Sequence, residues 1–300
     1  MINSTNKKTA VLTGSTGGIG LEISQILAKQ GWNLALVNRS QEKTDFQLEE
    51  LQKSHPSQKF TGFIANLMDT SDINRVATEI RSEYKEISAL YNIAGLLTDK
   101  RVMSPQNIEG HFALNTLAPY VLTQLLRNSL RAGAKGIQKS VVVNFSSSAI
   151  NAVKELKVET LTNPESIGGL MGAYATSKAA LTAVSDLMKE ELLEDGILIQ
   201  VVDPGPTKTS MTSSSDGMPW YLLLLRPLLF KSAKLQAQRL LSAIESAVIE
   251  GKSGLFISEG KRKAYPSIAL NKNIQTEIKL LLDTQIQQFA VEDTQKDFVD

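Results

Sequence analysis

TAVLTGSTGGIG, residues 9–20, decides the fold, because within it a short apolar run passes directly into a cluster of glycines. Residues 9–13 have the length and β-branched content of a strand, and helical periodicity begins near Gly18. A strand that turns straight into a helix must bend sharply. A Cβ at Gly14, Gly18 or Gly20 would obstruct the turn, the approach of a ligand or the helix–strand contact. The helix end then offers N–H donors and the positive end of a dipole to phosphate groups. Ser15, Thr16 and Ile19 therefore join the three glycines as candidates for holding a pyrophosphate. A tight turn alone would explain the glycines equally well; their position at the first βα junction of an alternating chain points to a dinucleotide.

Outward from that junction the alternation repeats. Runs of strand character at 9–13, 33–38, 59–64, 89–92, 140–145, 197–202 and 254–257 are separated by helix-length amphipathic stretches. This pattern predicts an α/β fold: a doubly wound, seven-stranded parallel sheet with helices on both faces, in a single domain over 1–300. Helices are expected to begin near Gly18, Gln41, Ser71, Ser104, Gly172 and Ser232. Two segments break the pattern. Residues 149–170 are polar and turn-rich, and 209–230 contain the apolar run MPWYLLLLRPLLF at 218–230. Both follow carboxyl ends of strands, where open α/β sheets bind ligands, so both are expected to wall a substrate pocket. The apolar run is too short and interrupted to span a bilayer. A lid helix packed on the body is expected, with an interfacial membrane contact as the alternative, and a helical tail is expected over 265–300.

Lys plus Arg number 32 against 31 for Asp plus Glu, so no strong field favours nucleic acid or a strongly acidic partner. The absence of cysteine excludes disulfides, thiolate catalysis and cysteine-ligated metals. Two histidines, His55 and His111, argue against a metal cluster or a serine–histidine triad. A small uncharged or cofactor-type ligand fits better. The opening MINSTNKK is polar and has no signal-peptide core, so a cytoplasmic protein is the expectation.

The second strand ends LALVNRS. An acid at that tip would accept hydrogen bonds from the adenosine ribose; here Asn38, Arg39 and Ser40 occupy it. Arginine can grip a 2′-phosphate through two parallel charge-assisted bonds, so NADP(H) is preferred, with NAD(H) as the alternative. Asn66 and Leu67, after the third strand, are candidates for the adenine turn. Tyr174 and Lys178 are four residues apart in GAYATSKAALTAVSDLMKE, on one face of a helix. A phenol beside an ammonium suits a proton transfer that accompanies hydride movement. The fifth strand ends VVVNFSSSA, and Ser147 is the hydroxyl expected to face a substrate carbonyl; Ser146 or Ser148 takes that place if the register slips by one. NIAG, Asn92 to Gly95, closes the fourth strand, and its glycine lets the chain pass close to a cofactor. Asn115 is an amide in a mostly apolar helix, HFALNTLAPY, either satisfied at a helix interface or bending the helix to hold a water near Lys178.

Taken in order, these residues resemble the short-chain dehydrogenase/reductase family. TGSTGGIG is similar to its TGxxxGxG loop, NIAG to its NNAG strand end, Tyr174 and Lys178 to its YxxxK pair, and PGPTKT to its PG segment after the sixth strand. The resemblance covers about residues 9 to 260 and implies a Rossmann-type NADP-binding domain. It further implies that Ser147 positions the carbonyl, Tyr174 is the acid/base, Lys178 holds the ribose and lowers the tyrosine pKa, and Asn115 supports a proton relay. Asn92, Ala94, Gly95, Pro204, Gly205, Thr207 and Thr209 would lie along the cofactor. The activity implied is carbonyl reduction, or the reverse alcohol oxidation, on a small, hydrophobic substrate. Ile93 departs from NNAG, and the long separation of Ser147 from Tyr174 is similar to the retinol-dehydrogenase-like branch. The family often pairs through the helices that contain Asn115 and Tyr174, so a homo-oligomer is an open expectation. The rival readings are a catalytically silent dinucleotide-binding regulator on the same fold, and epimerisation or dehydration.

Overall fold

Strands covered by helices on both faces need apolar side chains on both faces, and the central runs of this chain have them. A computed structural model describes residues 7–208 and 230–296. In it β1 (Thr9–Thr13), β2 (Asn33–Asn38), β3 (Phe60–Ile64), β4 (Ala89–Asn92), β5 (Ser140–Phe145) and β6 (Ile197–Asp203) pair in parallel. A short parallel pair, β7 (Thr207–Lys208) with β8 (Lys231–Ser232), follows. β9 (Leu255–Ser258) returns to the main sheet beside β6, and β10 (Lys261–Lys263) folds back on β9. The main sheet has eight strands in the order β10-β9-β6-β5-β4-β1-β2-β3. The direction of winding reverses between β1 and β4, which places the binding crevice outside their carboxyl ends.

The expected seven parallel strands are present, and β10 is an eighth, antiparallel one. Its charged run Lys-Arg-Lys does not read as a strand. Glu259 (φ 51) and Gly260 (φ 79) supply a turn with two positive φ angles, which the tightest hairpins require. Three exposed basic side chains then guard the sheet edge against further pairing.

On one face α1 (Gly18–Lys29) and α2 (Gln41–Ser54) contribute Ile23, Leu27 and Leu51 to a core shared with Leu240 and Ile244, which lie further along the chain. On the other face α3 (Thr70–Glu83) packs Val76 and Ile80 against the sheet. The next helix starts at Gly110, not near Ser104 as its sequence suggests. Ser104 instead closes a turn, its hydroxyl accepting from Ile108 N–H at 3.1 Å, and the carboxylate of Glu109 caps the helix. The helix runs as α4 (Gly110–Phe112), one π-turn (Ala113–Leu117) and α5 (Ala118–Gly133). Asn115 lies in the π-turn, and Pro119, four residues on, lacks the N–H that an α-helix would offer to its carbonyl. Beyond it are α6 (Ala173–Glu194) and α7 (Ala233–Ile249), the latter carrying Leu240 and Ile244. The tail forms α8 (Lys272–Lys296), whose Ile278 and Leu282 are buried. Asp186 of α6 accepts from Gln275 at 2.9 Å and pairs with Lys272, and Asp283 bonds to Tyr120 of α5. No helix among the described residues is long and apolar enough to cross a membrane. Thr209 and the expected lid up to residue 229 lie outside the described residues.

Candidate active site

The glycines at the first junction are demanded by geometry. Gly14 and Gly18 have φ of +69 and +56, and a Cβ on Gly20 would stand 2.3 Å from the carbonyl oxygen of Gly14. α2, α3 and α7 each begin with a side-chain cap, from Ser40, Asp69 and Ser232. α1 does not: Gly17 offers it no side chain, and its first turn holds no acid. Its leading N–H groups and dipole are thus left for an external anion, as a pyrophosphate requires. Ser15 is buried and Thr16 half-buried in this loop, and Ile19 packs into the core.

A buried polar network holds the loop from below. Asn38 accepts from Ser15 N–H at 2.8 Å and donates to Ser15 Oγ at 3.0 Å. Gln47 of α2 donates to Ser15 O and to Ser24 Oγ, each at 2.9 Å. Asn38 is therefore turned inward, away from the ribose position anticipated for it, because the loop's own N–H claims its amide. Arg39 is exposed, with no acidic partner among the described residues, and Ser40 caps α2. Asn66 closes a turn, accepting from Met68 N–H at 3.2 Å, and Leu67 is buried. Thr13 Oγ1 accepts from Ile93 N–H and Ala94 N–H at 3.0 Å each, drawing NIAG onto the glycine loop. Ala94 Cα lies 3.0 Å from where a Gly14 Cβ would be, and Gly95 follows half-buried. Asn92 donates to Asn144 at 2.8 Å, an engagement across the sheet and not toward the loop.

The sheet edge next delivers the reacting groups. Lys178 is buried, one turn beyond Tyr174, and its ammonium donates to Phe145 O at 2.6 Å. Ser147 accepts from Ala149 N–H at 3.2 Å, and its side chain is near enough to the Tyr174 hydroxyl to act on its pKa. Its neighbour Ser146 bonds to Thr182 at 2.7 Å inside the body, so the alternation of the strand separates the two serines. Ser148 begins the following 3-10 turn. Asn115 accepts from Leu96 N–H at 2.8 Å and donates to Leu96 O and Ser177 Oγ. Its amide is satisfied and clamps the segment after β4 to α6.

Burial pushes Tyr174 up to about 12, outweighing the nearby Ser147 hydroxyl, which lowers it. Burial pushes Lys178 down to about 7. Burial disfavours the charged form of both groups, and so moves the phenol up and the ammonium down. Pro204 O accepts from Gln236, and Thr207 donates to Gly205 O at 2.9 Å. Gly205 (φ +67) donates its N–H to Asp203 at 2.9 Å; burial raises that carboxyl, opposed by this bond and by Ser258.

Sequence reasoning missed Thr13, Gln47 and Asp203. Gln47 had a signal: it shares the buried face of α2 with Thr44 and Leu51, where a glutamine needs a partner.

The family model described as short chain dehydrogenase matches residues 8–159 and 162–219. Polyprenol dehydrogenase of Danio rerio is 26% identical over 278 residues, 91% of this chain and 85% of that protein. Retinol dehydrogenase 12 of Mus musculus is 28% identical over 265 residues, 88% and 82% of the two chains. The crystal structure of NADPH-bound carbonyl reductase from chicken fatty liver superposes with a TM-score of 0.66 at 21% identity. It covers 86% of this chain and 99% of that one.

Proposed function

Because the chain belongs to the short-chain dehydrogenase family, an oxidoreductase class that interconverts alcohols and carbonyls with a nicotinamide dinucleotide, we propose that it reduces an apolar aldehyde or ketone with NADPH, Tyr174 supplying the proton. When bound, the dihydronicotinamide supplies the hydride. The chain's own residues do the rest. Near neutral pH a phenol held at about 12 keeps its proton and is therefore an acid, ready to donate as negative charge grows on a carbonyl oxygen. Ser147, beside that hydroxyl, is the donor that holds the same oxygen. Lys178, fixed to Phe145 O, keeps two further N–H donors when protonated, enough for ribose hydroxyls. The uncapped start of α1 takes the pyrophosphate.

Preference for NADPH is supported by the tip of β2, where Asn38 faces inward and Arg39 is exposed with no acidic partner among the described residues. An apolar substrate is supported by Leu97, Ala149 and Leu170 packed around Tyr174, and by relatives named for retinol and polyprenol. The observation that carries the reading is a buried Tyr174 with Ser147 near enough to act on its phenol, one helical turn from a buried lysine. A panel of aldehydes and ketones followed by NADPH absorbance tests it. Wild type is expected to consume NADPH with at least one apolar carbonyl, and the Tyr174→Phe protein with none.

A further inference from the structure

His111, one of the two histidines, is sealed inside the protein behind the phenol. It and Glu109 are 0% and 1% exposed, and none of the steps above uses either. Every polar side-chain atom of the pair has a partner. His111 Nδ1 lies 2.7 Å from Glu109 Oε1, and Nε2 accepts from Thr98 N–H at 3.2 Å. Glu109 Oε2 accepts from the backbone N–H groups of His111 and Phe112 at 3.0 and 3.2 Å. A backbone N–H can only donate, so Nε2 is the acceptor and Nδ1 carries the hydrogen given to Glu109. The imidazole then stands edge-on to Tyr174, with centroids 6.3 Å apart and planes at 81°. Glu109 N–H also donates to Thr162 O at 2.8 Å, which ties the segment before α6 to the same point. Apolar side chains would fill this space at lower desolvation cost; beyond the helix cap that Glu109 Oε2 supplies, a fixed orientation of the imidazole is what the polar pair adds.

We propose that Glu109 and His111 are positioning residues for Tyr174: the carboxylate and Thr98 fix the imidazole, and the imidazole fixes the tilt of the phenol ring so that its hydroxyl stays turned toward the Ser147 side of the site. The inference rests on Tyr174 being the proton donor, as read above.

The test uses the full chain, NADPH, and benzaldehyde and nonanal as carbonyl probes. His111→Phe keeps a ring but cannot bond to Glu109 or Thr98; His111→Asn keeps a donor near the Nδ1 position and loses the ring. Each is expected to lower kcat by roughly a hundredfold, the scale of a misplacement of about 1 Å at a reacting group. KM and the NADPH dissociation constant should stay near wild type. Tyr174→Phe runs alongside. If wild type reduces a probe and Tyr174→Phe does not, the reading of the site stands; kcat retained by both His111 variants then overturns this inference alone. If wild type reduces neither probe, or Tyr174→Phe stays active, the reading falls and the inference with it. A loss spread equally over kcat, KM, NADPH affinity and melting temperature marks the pair as scaffold and also overturns it. Should His111→Phe fail to fold, His111→Asn and Glu109→Gln take its place, with the same outcomes.

Discussion

The amino end of α1 and the first turns of α6 meet the same edge of the sheet, and they treat their polar groups in opposite ways. At α1 no side chain caps the leading N–H groups, while Asn38 and Gln47 hold the loop rigid from beneath. At α6 the polar groups are buried, and two are already bonded within the chain: Lys178 to Phe145 O and Ser177 to Asn115. A binding half leaves donors for an anion that the chain does not contain. A reacting half uses dryness to move pKa values in opposite directions, up for Tyr174 and down for Lys178. The two halves should therefore fail differently.

The largest expected effect on cofactor binding breaks the binding half alone. In Gly20→Val the new side chain would run into Gly14 O, so the loop must open, an overpacking cost of about 3 kcal/mol. NADPH titration by fluorescence should show affinity lost by roughly a hundredfold. Unchanged affinity would mean that the loop does not hold the cofactor. Smaller, and confined to one phosphate, is Arg39→Ala. Loss of a charge-assisted pair should weaken NADPH by about 2 kcal/mol and leave NADH unaffected. Equal weakening of both would remove the 2′-phosphate role.

The smallest effect probes the reacting half in the free protein. Lys178 is held near 7 in the fold against 10.5 in the open chain, so the unfolded state binds more protons between those values and stability rises with pH across that window. Above pH 10 Tyr174 reverses the slope, because the folded state keeps a proton that the unfolded chain releases. Melting temperature measured from pH 7 to 10 should climb in the wild type, and Lys178→Met should flatten that climb. Parallel curves for the two proteins would show that the lysine is not buried as described.

Much of this was legible in the sequence, and the limits were physical. β-branched runs mark buried parallel strands without ambiguity, and the glycine loop follows from where a Cβ cannot go. β10 was hidden because charged residues on an edge strand leave no periodicity. The cap at Glu109 was hidden by Ser104, a better capping residue by type that the chain uses for a turn. Asn38 sits where a cofactor-reading residue is expected, and only the backbone of Ser15 reveals that its amide is occupied. The burial that raises Tyr174 was hidden for a related reason. Spacing places a lysine one turn away, but it does not tell how much water both groups have lost.

The most direct measurement is a paired one on Tyr174→Phe: NADPH affinity by titration and carbonyl-dependent NADPH oxidation on the same preparation. Removing the acid should lower turnover by about three orders of magnitude while binding stays within a factor of about two. Turnover at the wild-type rate with the phenol gone would contradict the assignment of proton donation to this residue.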